Sequence, residues 1–424
     1  MNGAHPVDEW LGRAADRHGT PCFVYFTAPI EARLNHLGRA FGGRFKLSYA
    51  VKANPNPALL AWLGTKVPLI DISSIGEMRL ALSAGWAASR ISFTGPAKRE
   101  AELAEAIAMG IGELVIESPR EAAAANAIAR STGRRQDVVI RITPDRVPRG
   151  FGDHMAGRPS PFGIDVEQTD AALPPILAMQ NLNVRGFHIY SGTQCLHADA
   201  VVENYRNFIA LFERLAERHG LTPDRLIFGS GLGIPYHEGD VPIDLDAVAA
   251  GIVPGLDALR ASPRFARARF ALELGRYLVG EAGYFVTRVV SVKQSRGSRI
   301  VLCDGGMNNH LPASGMFGMV IRRAYRMHKV GGGGDVEKVD LVGPLCTSID
   351  RLGSGVDLPR LEPGDLVAVH NSGAYGLSAS PVHFISHPMP TELMVDGEVL
   401  RAVSRDWTSC HQPALERTES HAAA

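Results

Sequence analysis

The sequence contains little cysteine, no excess charge and no long apolar run. Its 424 residues include five cysteines, and 44 Lys and Arg balance 44 Asp and Glu. The cysteines lack CxxC spacing, which argues against a disulfide framework or a zinc finger, and no metal site is predicted. Zero net charge gives no general attraction to nucleic acid. Without a secretory signal or a run of about 20 apolar residues, the sequence predicts a cytoplasmic protein that acts away from membranes.

Short apolar runs rich in β-forming residues recur eight times in the first two thirds of the chain. Segments that favour helix lie between them, including residues 99–109, where Leu103 and Ile107 share one face, and residues 122–130. Eight apolar strands that alternate with helices predict a (β/α)8 barrel of the TIM type, with a doubly wound open sheet as the alternative. The predicted strands are 46–51, 68–73, 90–95, 113–118, 138–143, 184–190, 225–230 and 270–275.

The pattern changes after about residue 280, where strands follow one another with little helix between them. The predicted strands there are 284–292, 299–303, 339–342 and 365–370. We therefore expect the barrel to comprise residues 27–275, and a mainly β domain to comprise residues 276–408 together with 1–26. Residues 409–424 are small and polar and are expected to form a frayed tail.

Three features of the predicted barrel carry chemistry. Lys52 ends the first strand at the barrel mouth, where partial desolvation would lower its pKa and allow it to form a Schiff base. The glycine-rich loop 229–235 follows the seventh strand, where barrels often bind phosphate, although such loops often only turn the chain. Glu273 lies on the eighth strand, where a carboxylate needs either a structural ion pair or a cofactor contact. Together they match the needs of pyridoxal phosphate.

At these residues the sequence resembles the fold-type III pyridoxal-phosphate decarboxylases, the group of diaminopimelate, ornithine and arginine decarboxylases. The resemblance covers roughly residues 20–400. It implies pyridoxal 5'-phosphate as cofactor and a homodimer with shared active sites. The motifs that carry it are YAVKAN (49–54), DISSIGE (71–77), GFHIYSGTQ (186–194), GSGLGIP (229–235), ELGR (273–276), DGGMN (304–308), GPLCTSID (343–350) and SGAYG (372–376).

The resemblance also implies a role for individual residues. Lys52 would bond to the cofactor, Glu273 would face the pyridine nitrogen, and Cys346 would enter the neighbouring subunit's site and protonate the carbanion, unless it is a buried structural thiol. Residues implied to surround the cofactor are Asp71, Tyr190, Ser191, Gly231, Gly233, Gly275, Arg276 and Tyr375. Residues implied to face the substrate are His188, Asn308, Thr347 and Asp350, with a structural histidine as the alternative for the first.

Three positions depart from the pattern of diaminopimelate decarboxylases. Thr347 stands where that family has a glutamate, and Pro312 and His387 stand where it has arginines. A site without these charges would reject a small diamino diacid, because each charged group of the substrate would be left unpaired. The segment GAYGLSASPVHFISHP (373–388) resembles a narrower branch with the butirosin-pathway glutamyl-carrier-protein decarboxylase and exosortase-associated decarboxylases.

These departures predict decarboxylation of an amino acid conjugated at its far end, for example to an acyl carrier protein in a secondary-metabolite pathway. Residues 313–315 are small and would open the pocket. A helix with Arg322, Arg323 and Arg326 could contact an acidic carrier, although a solvated helix face explains these arginines equally well. Decarboxylation of free diaminopimelate, lysine or ornithine, with the distal ammonium beside Asp350, is the alternative. An alternative from another functional class is a homologue that binds pyridoxal phosphate without catalysing a reaction. An alanine racemase would need an arginine where Glu273 stands.

Overall fold

The computed structural model describes residues 5–315 and 323–404, and the tail predicted at 409–424 lies outside these ranges. The helices are α1 Asp8–His18, α2 Thr27–Ala40, α3 Pro57–Gly64, α4 Ile75–Ser83, α5 Glu100–Met109, α6 Pro119–Ser131, α7 Thr169–Leu177, α8 Ala198–Arg218, α9 Leu245–Ala261 and α10 Arg276–Val279. The first ten strands are β1 Cys22–Phe26, β2 Phe45–Ala50, β3 Leu69–Ile72, β4 Ile91–Phe93, β5 Glu113–Ile116, β6 Gln136–Thr143, β7 Asp153–His154, β8 Ile164–Asp165, β9 Leu182–Ile189 and β10 Gly192–Thr193. The others are β11 Arg225–Gly229, β12 Arg269–Leu274, β13 Gly283–Ser295, β14 Ser298–Cys303, β15 Met327–Lys329, β16 Val336–Val342, β17 Arg351–Pro359, β18 Leu366–Val369, β19 Thr391–Asp396 and β20 Val399–Ala402.

Eight parallel strands close into a barrel. Their order is β2, β3, β4, β5, β6, β9, β11 and β12. The last strand pairs with the first, with Phe270 opposite Phe45. The predicted (β/α)8 barrel is therefore confirmed, and the open sheet is excluded because β12 and β2 leave no edge between them. Helices α3 to α9 connect the strands in turn, as parallel neighbours require a crossover connection.

Side-chain caps fix where several connecting helices begin. Ser74 Oγ accepts a hydrogen bond from the Glu77 backbone N–H at 3.1 Å, and Ser118 Oγ accepts one from Glu121 at 3.2 Å. Each such cap stabilises its helix by about 0.5–2 kcal/mol. Because both helices begin within a few residues of a strand end, the loops at the carboxyl ends of β3 and β5 are short. The side chains that leave these strand ends are held close to the barrel axis.

The barrel interior is apolar at one end and polar at the other. Val115, Val139, Ile227 and Ala271 form a small closed cluster inside the barrel. Side chains alternate along a strand, so the next residue on the same face lies two positions further. Glu273 lies two positions beyond Ala271, and Arg141 lies two positions beyond Val139. Both charged side chains are buried. The same strands therefore close the bottom of the barrel with apolar groups and place ionisable groups at its mouth.

The second sheet contains strands from both ends of the described chain. Its order is β17, β16, β14, β13, β1, β19 and β20, with β18 paired to both β13 and β15. The strand β1 pairs antiparallel with β13 and parallel with β19, so residues 22–26 lie in the middle of the β domain. The expected mainly β second domain is confirmed. Among the described residues, none of the helices is long and apolar enough to cross a membrane.

Candidate active site

A small cavity opens at the carboxyl ends of β2, β9, β11 and β12. This is the end of a TIM-type barrel at which active sites form. Six residues predicted from sequence line it together: Lys52, Tyr190, Glu273, Gly275, Arg276 and Tyr375. They come from four segments that are distant along the chain, one of them in the β domain. The other lining residues are Ala50, Thr193, Ser230, Leu232 and Tyr277.

Lys52 follows β2 in a 3-10 turn, Val51–Ala53, and its amine reaches the cavity. Its Nζ lies 3.5 Å from Oδ2 of Asp71, and its side chain keeps 41% of its surface accessible. The expected lowering of its pKa is wrong. Burial lowers the pKa of Lys52, but the Coulombic interaction with Asp71, followed by those with Tyr375, Tyr190 and Glu273, outweighs burial, so the pKa is raised.

Asp71 is a buried carboxyl group held between an amine and a hydroxyl. Thr94 Oγ1 donates a hydrogen bond to Oδ1 of Asp71 at 2.6 Å, on the side away from Lys52. Burial, reinforced by the charge of Glu273, raises the pKa of Asp71 to about 7, although Lys52 and the Thr94 hydrogen bond oppose the rise. The predicted cofactor residue Asp71 therefore lies behind Lys52 and determines the charge of the amine.

Substitution of Asp71 by asparagine is expected to lower the pKa of Lys52 in the cofactor-free enzyme. The substitution removes the largest effect that raises this pKa, whereas burial, which lowers it, remains. The neutral amine is the reactive form, so the pH profile for acylation of Lys52, followed by peptide mass spectrometry, should move to lower pH. Glu31→Gln, which removes the partner of surface Lys66 at 2.7 Å, is the control. An unchanged midpoint in Asp71→Asn would contradict this account.

Glu273 is oriented by His188 from inside the barrel. His188 Nε2 lies 3.0 Å from Glu273 Oε2, and both side chains are almost completely buried. Burial raises the pKa of Glu273, but His188, Lys52 and Arg141 together lower it, so the carboxylate stays ionised. Oε1 of Glu273 is buried without a hydrogen-bond partner among the described residues. One carboxylate oxygen is thus fixed by the protein, and the other needs a donor.

The position of His188 differs from its prediction as a substrate residue. Its ring is 0% exposed and is not part of the cavity wall, because it lies beneath Glu273. We therefore assign His188 as a positioning residue for Glu273. Ser191 is also buried, and its hydroxyl donates to Asn204 Oδ1 at 2.8 Å, so its predicted cofactor contact would have to compete with this bond.

The glycine loop brings backbone close to the cavity. Gly231 has φ +68°, and a Cβ there would lie 2.6 Å from a ring carbon of Phe151. A Cβ on Gly233 would lie 2.9 Å from the carbonyl oxygen of Cys195. These glycines flank Leu232, which lines the cavity. Only glycine permits this path of the chain, which supports the predicted cradle for a phosphate.

Arg276 begins α10 at the same mouth and is surrounded by tyrosines. Its Nη1 donates a hydrogen bond to the Tyr236 hydroxyl at 2.8 Å, and its guanidinium lies 4.7 Å from the centre of the Tyr375 ring. Its Nε is buried without a partner among the described residues. This cation, together with the glycine loop, gives the cavity the charge that a phosphate or a substrate carboxylate requires.

Tyr375 belongs to the β-domain segment that closes the cavity. It adopts φ +61°, a conformation uncommon for a residue with a side chain, and its N–H donates to Ala53 O at 2.7 Å. The bond joins this segment to the turn that carries Lys52. The barrel and the β domain therefore build the cavity jointly.

Four predicted residues lie elsewhere, in the β domain. Cys346 is exposed, and neither it nor its neighbour Thr347 lines the cavity of its own chain. Asp350 is buried and accepts hydrogen bonds from Met307 N at 2.7 Å and Leu345 N at 2.8 Å. It thereby joins the DGGMN and GPLCTSID motifs. Asn308, in the first motif, is buried with its Oδ1 unpaired among the described residues.

The role predicted for Asp350 is not what its surroundings favour. Both of its oxygens accept backbone hydrogen bonds, and Cβ atoms on Gly306 or Gly343 would lie 2.3–2.8 Å from them. Burial raises the pKa of Asp350 despite these bonds and the nearby charge of His387. The carboxyl group is thus occupied in holding two loops together, and it has little freedom to bind a distal ammonium.

Two further expectations are corrected. Residues 312–314 form a 3-10 turn in which Ala313 and Ser314 are buried, so these small residues pack inside the β domain and do not border open space. Residues 323–326 are not helical. Arg323 lies 3.0 Å from Asp240 and Arg326 lies 3.6 Å from Glu238, so these cations are paired within the chain. Arg322 lies outside the described residues.

Sequence reasoning missed Tyr236, Thr193 and Tyr277. Tyr236 directly follows the glycine loop, and its hydroxyl accepts the hydrogen bond from Arg276. Thr193 lies in the motif GFHIYSGTQ, which also contains Tyr190 and Ser191, and Tyr277 follows Arg276. Their proximity to recognised motifs was the available signal. Nothing in a single sequence indicates that Thr193 and Tyr277 line the cavity or that Tyr236 binds Arg276.

The residues of this cavity fit pyridoxal phosphate. A lysine enters it, a buried carboxylate oxygen at its wall lacks a donor, and an arginine and a glycine loop lie at its mouth. Lys52 would hold the cofactor, Oε1 of Glu273 would accept a hydrogen bond from a protonated ring nitrogen, and Arg276 with the loop 229–235 would lie near the phosphate.

Comparisons with known proteins agree with this geometry. The family model described as pyridoxal-dependent decarboxylase, pyridoxal binding domain, matches residues 27–280. The chain is 35% identical over 411 residues to the L-glutamyl-(BtrI acyl-carrier protein) decarboxylase of Niallia circulans, covering 96% of each. It is 30% identical over 401 residues to the diaminopimelate decarboxylase of Aquifex aeolicus, covering 93% of this chain and 91% of the relative.

A solved structure extends the similarity to the fold. The crystal structure of a diaminopimelate decarboxylase mutant from Helicobacter pylori, complexed with L-lysine, superposes with a TM-score of 0.82 at 28% identity. The match covers 92% of this chain and 95% of that chain. The matched region thus includes both the barrel and the β domain. The chain therefore belongs to the pyridoxal-dependent decarboxylases and is a carboxy-lyase that uses pyridoxal phosphate.

Proposed function

We propose that this enzyme removes the α-carboxyl group of an L-amino acid whose far end is conjugated, as in a glutamyl group on an acyl carrier protein. The proposal rests on three positions at which the resemblance predicts charged side chains in diaminopimelate decarboxylases. This chain has Thr347 in place of a glutamate, and Pro312 and His387 in place of arginines. The relative with 35% identity is named for such a substrate, which supports the same assignment.

Each residue of the site contributes a separate part of the reaction. Pyridoxal phosphate, when bound, supplies an electron sink for the pair that remains at Cα after CO2 departs. Lys52 would hold the cofactor through its neutral amine, and Asp71 beside it favours the charged form of the lysine when the cofactor is absent. Glu273 keeps a proton at the pyridine nitrogen, since His188 fixes the carboxylate and favours its ionised form. Arg276 and the glycine loop bind the phosphate end.

We propose that Cys346 returns a proton to Cα from a second subunit. Its thiol is exposed and lies outside the cavity of its own chain. Apolar Ile349, Phe384 and Ile385 are exposed in the same part of the β domain, where His387 lies close enough to Asp350 to affect its pKa. Ile385 also has φ +60°, which is rare for a β-branched residue. Exposed apolar side chains in this part of the β domain support a contact with a second copy of this chain.

Free diamino acids are the competing substrates, and the surroundings of Asp350 weigh against them. Asp350 is buried between Gly306 and Gly343, each of its oxygens accepts a backbone hydrogen bond, and burial raises its pKa, so it is poorly placed to pair with a distal ammonium. Thr347 offers a hydroxyl but no charge. A charged group without a partner in a desolvated site costs a large part of its binding energy.

The test is a comparison of kcat/KM across substrates that differ only in their far end. Glutamyl carrier protein, glutamyl pantetheine thioester, free glutamate, lysine, ornithine and diaminopimelate would be assayed with the cofactor-loaded enzyme. We expect the conjugates to exceed every free amino acid by at least about a hundredfold. A free diamino acid as the best substrate would contradict the proposal. In a separate variant, Thr347→Glu should raise the turnover of free substrates with a distal ammonium, such as diaminopimelate and lysine, because it supplies the missing negative charge, and Thr347→Gln, of similar size and uncharged, is the matched control.

A further inference from the structure

Three histidines and one aspartate meet on the β domain, outside the cavity. This three-histidine cluster consists of His5, Asp8, His328 and His370. His5 and Asp8 come from the N-terminal end of the chain, His328 from β15, and His370 from the residue after β18. The three imidazole centres lie 4.8–5.1 Å from one another. The four residues of this cluster have no role in the active site described above.

The ligand atoms of the cluster converge. One nitrogen each of His5 and His328 and one carboxylate oxygen of Asp8 lie within 4.8 Å of one another. His328 Nε2 lies 2.7 Å from Asp8 Oδ1. Nδ1 of His5 is buried without a hydrogen-bond partner among the described residues. A cation bound through Nδ1 of His5 would give that nitrogen a partner.

The surroundings of the two other ligands hold them in place. Oδ2 of Asp8 accepts hydrogen bonds from the backbone N–H of His5 at 2.8 Å and of Gly331 at 2.9 Å, which leaves Oδ1 directed at His328. On its other side, Nδ1 of His328 lies 2.8 Å from Nε2 of His370. A histidine that binds a metal with one nitrogen commonly donates the other N–H to an acceptor. His370 provides that acceptor.

We propose that His5, Asp8 and His328 bind one divalent transition-metal ion, with His370 positioning His328. Two imidazoles and one carboxylate match the ligands of Zn²⁺, and a water molecule would complete a tetrahedral set. The site departs from the sequence-based expectation of no metal, which rested on cysteine spacing. A bound ion would join the N-terminal helix α1 to β15 and to the segment that leads to Tyr375.

Zn²⁺ binding to the cofactor-loaded, tag-free protein tests the proposal. After treatment with a chelator and desalting, the enzyme would be titrated with Zn²⁺ against a chromophoric competitor, with Co²⁺ spectroscopy as a second readout. We expect one ion per chain, bound at micromolar concentration or more tightly. His5→Ala and His370→Ala should each weaken binding by about tenfold or more, and His5→Ala should change the visible spectrum of bound Co²⁺.

The controls distinguish the cluster from other histidines and from loss of folding. His36→Ala removes a surface histidine that lies 3.0 Å from Asp246, and its Zn²⁺ affinity should equal that of the unmodified protein. Asp8 also anchors the backbone, so Asp8→Asn serves only if thermal unfolding shows a folded protein. His5→Ala removes a ring whose Nδ1 has no hydrogen-bond partner within residues 5–315 and 323–404, and the variant should fold. No bound Zn²⁺ in the unmodified protein, or equal affinity in His5→Ala, would overturn the proposal.

Discussion

Lys52→Ala is expected to lower kcat by at least about a thousandfold, because the substitution removes the only cavity-lining amine, among the described residues, able to hold the cofactor covalently. The same substitution should abolish covalent trapping of pyridoxal phosphate. Borohydride reduction of the cofactor-loaded protein, followed by digestion and mass spectrometry, should place the cofactor on the peptide that contains Lys52 and should label no peptide in the variant.

Lys66→Ala is the matched control for this experiment. Lys66 is partly exposed, lies 2.7 Å from Glu31 and does not line the cavity. Activity and labelling should be unchanged in this variant. Trapping on any other lysine in the unmodified protein, or substantial activity in Lys52→Ala with external amines absent, would contradict the role assigned to Lys52.

Mixing two inactive variants is expected to restore activity. Lys52→Ala damages the barrel cavity, whereas Cys346→Ala damages the exposed β-domain segment, which we propose to act in the other subunit. A mixed dimer would then contain one intact and one doubly damaged site. With random exchange of subunits, half of the dimers are mixed and carry one active site of two, so activity should reach about a quarter of the unmodified level.

Separate assays of the two variants provide the baseline. Cys346→Ala alone should reduce kcat by about 10²–10⁴, the contribution typical of a positioned proton donor, with a smaller effect on KM. A mixture of Lys52→Ala with Glu273→Gln is the negative control, because both residues line the same cavity of one chain. If the mixture of Lys52→Ala and Cys346→Ala stays inactive although the subunits exchange, the proposal that two subunits share each active site is wrong.

The sequence was most informative where local pattern and tertiary burial agree. The eight barrel strands are apolar on both faces, and each is followed by a segment that favours helix, so their number and order could be predicted. The second domain was harder. The strand β17 contains Gly353, Gly355 and Pro359, residues that break strands when read alone. The strand β1 was not predicted either, because its partners β13 and β19 are more than 250 residues away.

The site could be predicted in its members but only partly in their roles. Lys52, Glu273, Gly275, Arg276 and Tyr375 are brought together as expected. The pKa of Lys52 could not be predicted, because it depends on a carboxylate from another strand 3.5 Å away. His188 and Asp350 were assigned to substrate, and both proved to be occupied within the chain. The reason is the same, since a motif specifies residue types and their order but not the neighbours that use up their hydrogen bonds.

The most direct test of the account follows the α-carboxyl carbon. The substrate with the highest kcat/KM, labelled with ¹³C at that carboxyl group, would be incubated with the cofactor-loaded enzyme in deuterated water. We predict that each amine formed is matched by one labelled CO2, and that the product keeps its far end intact. Retention of the label in the amino acid, together with deuterium at Cα, would indicate racemisation. No turnover despite bound cofactor would indicate a protein that binds pyridoxal phosphate without catalysing a reaction. Either result would contradict a decarboxylase built on Lys52, Glu273 and Cys346.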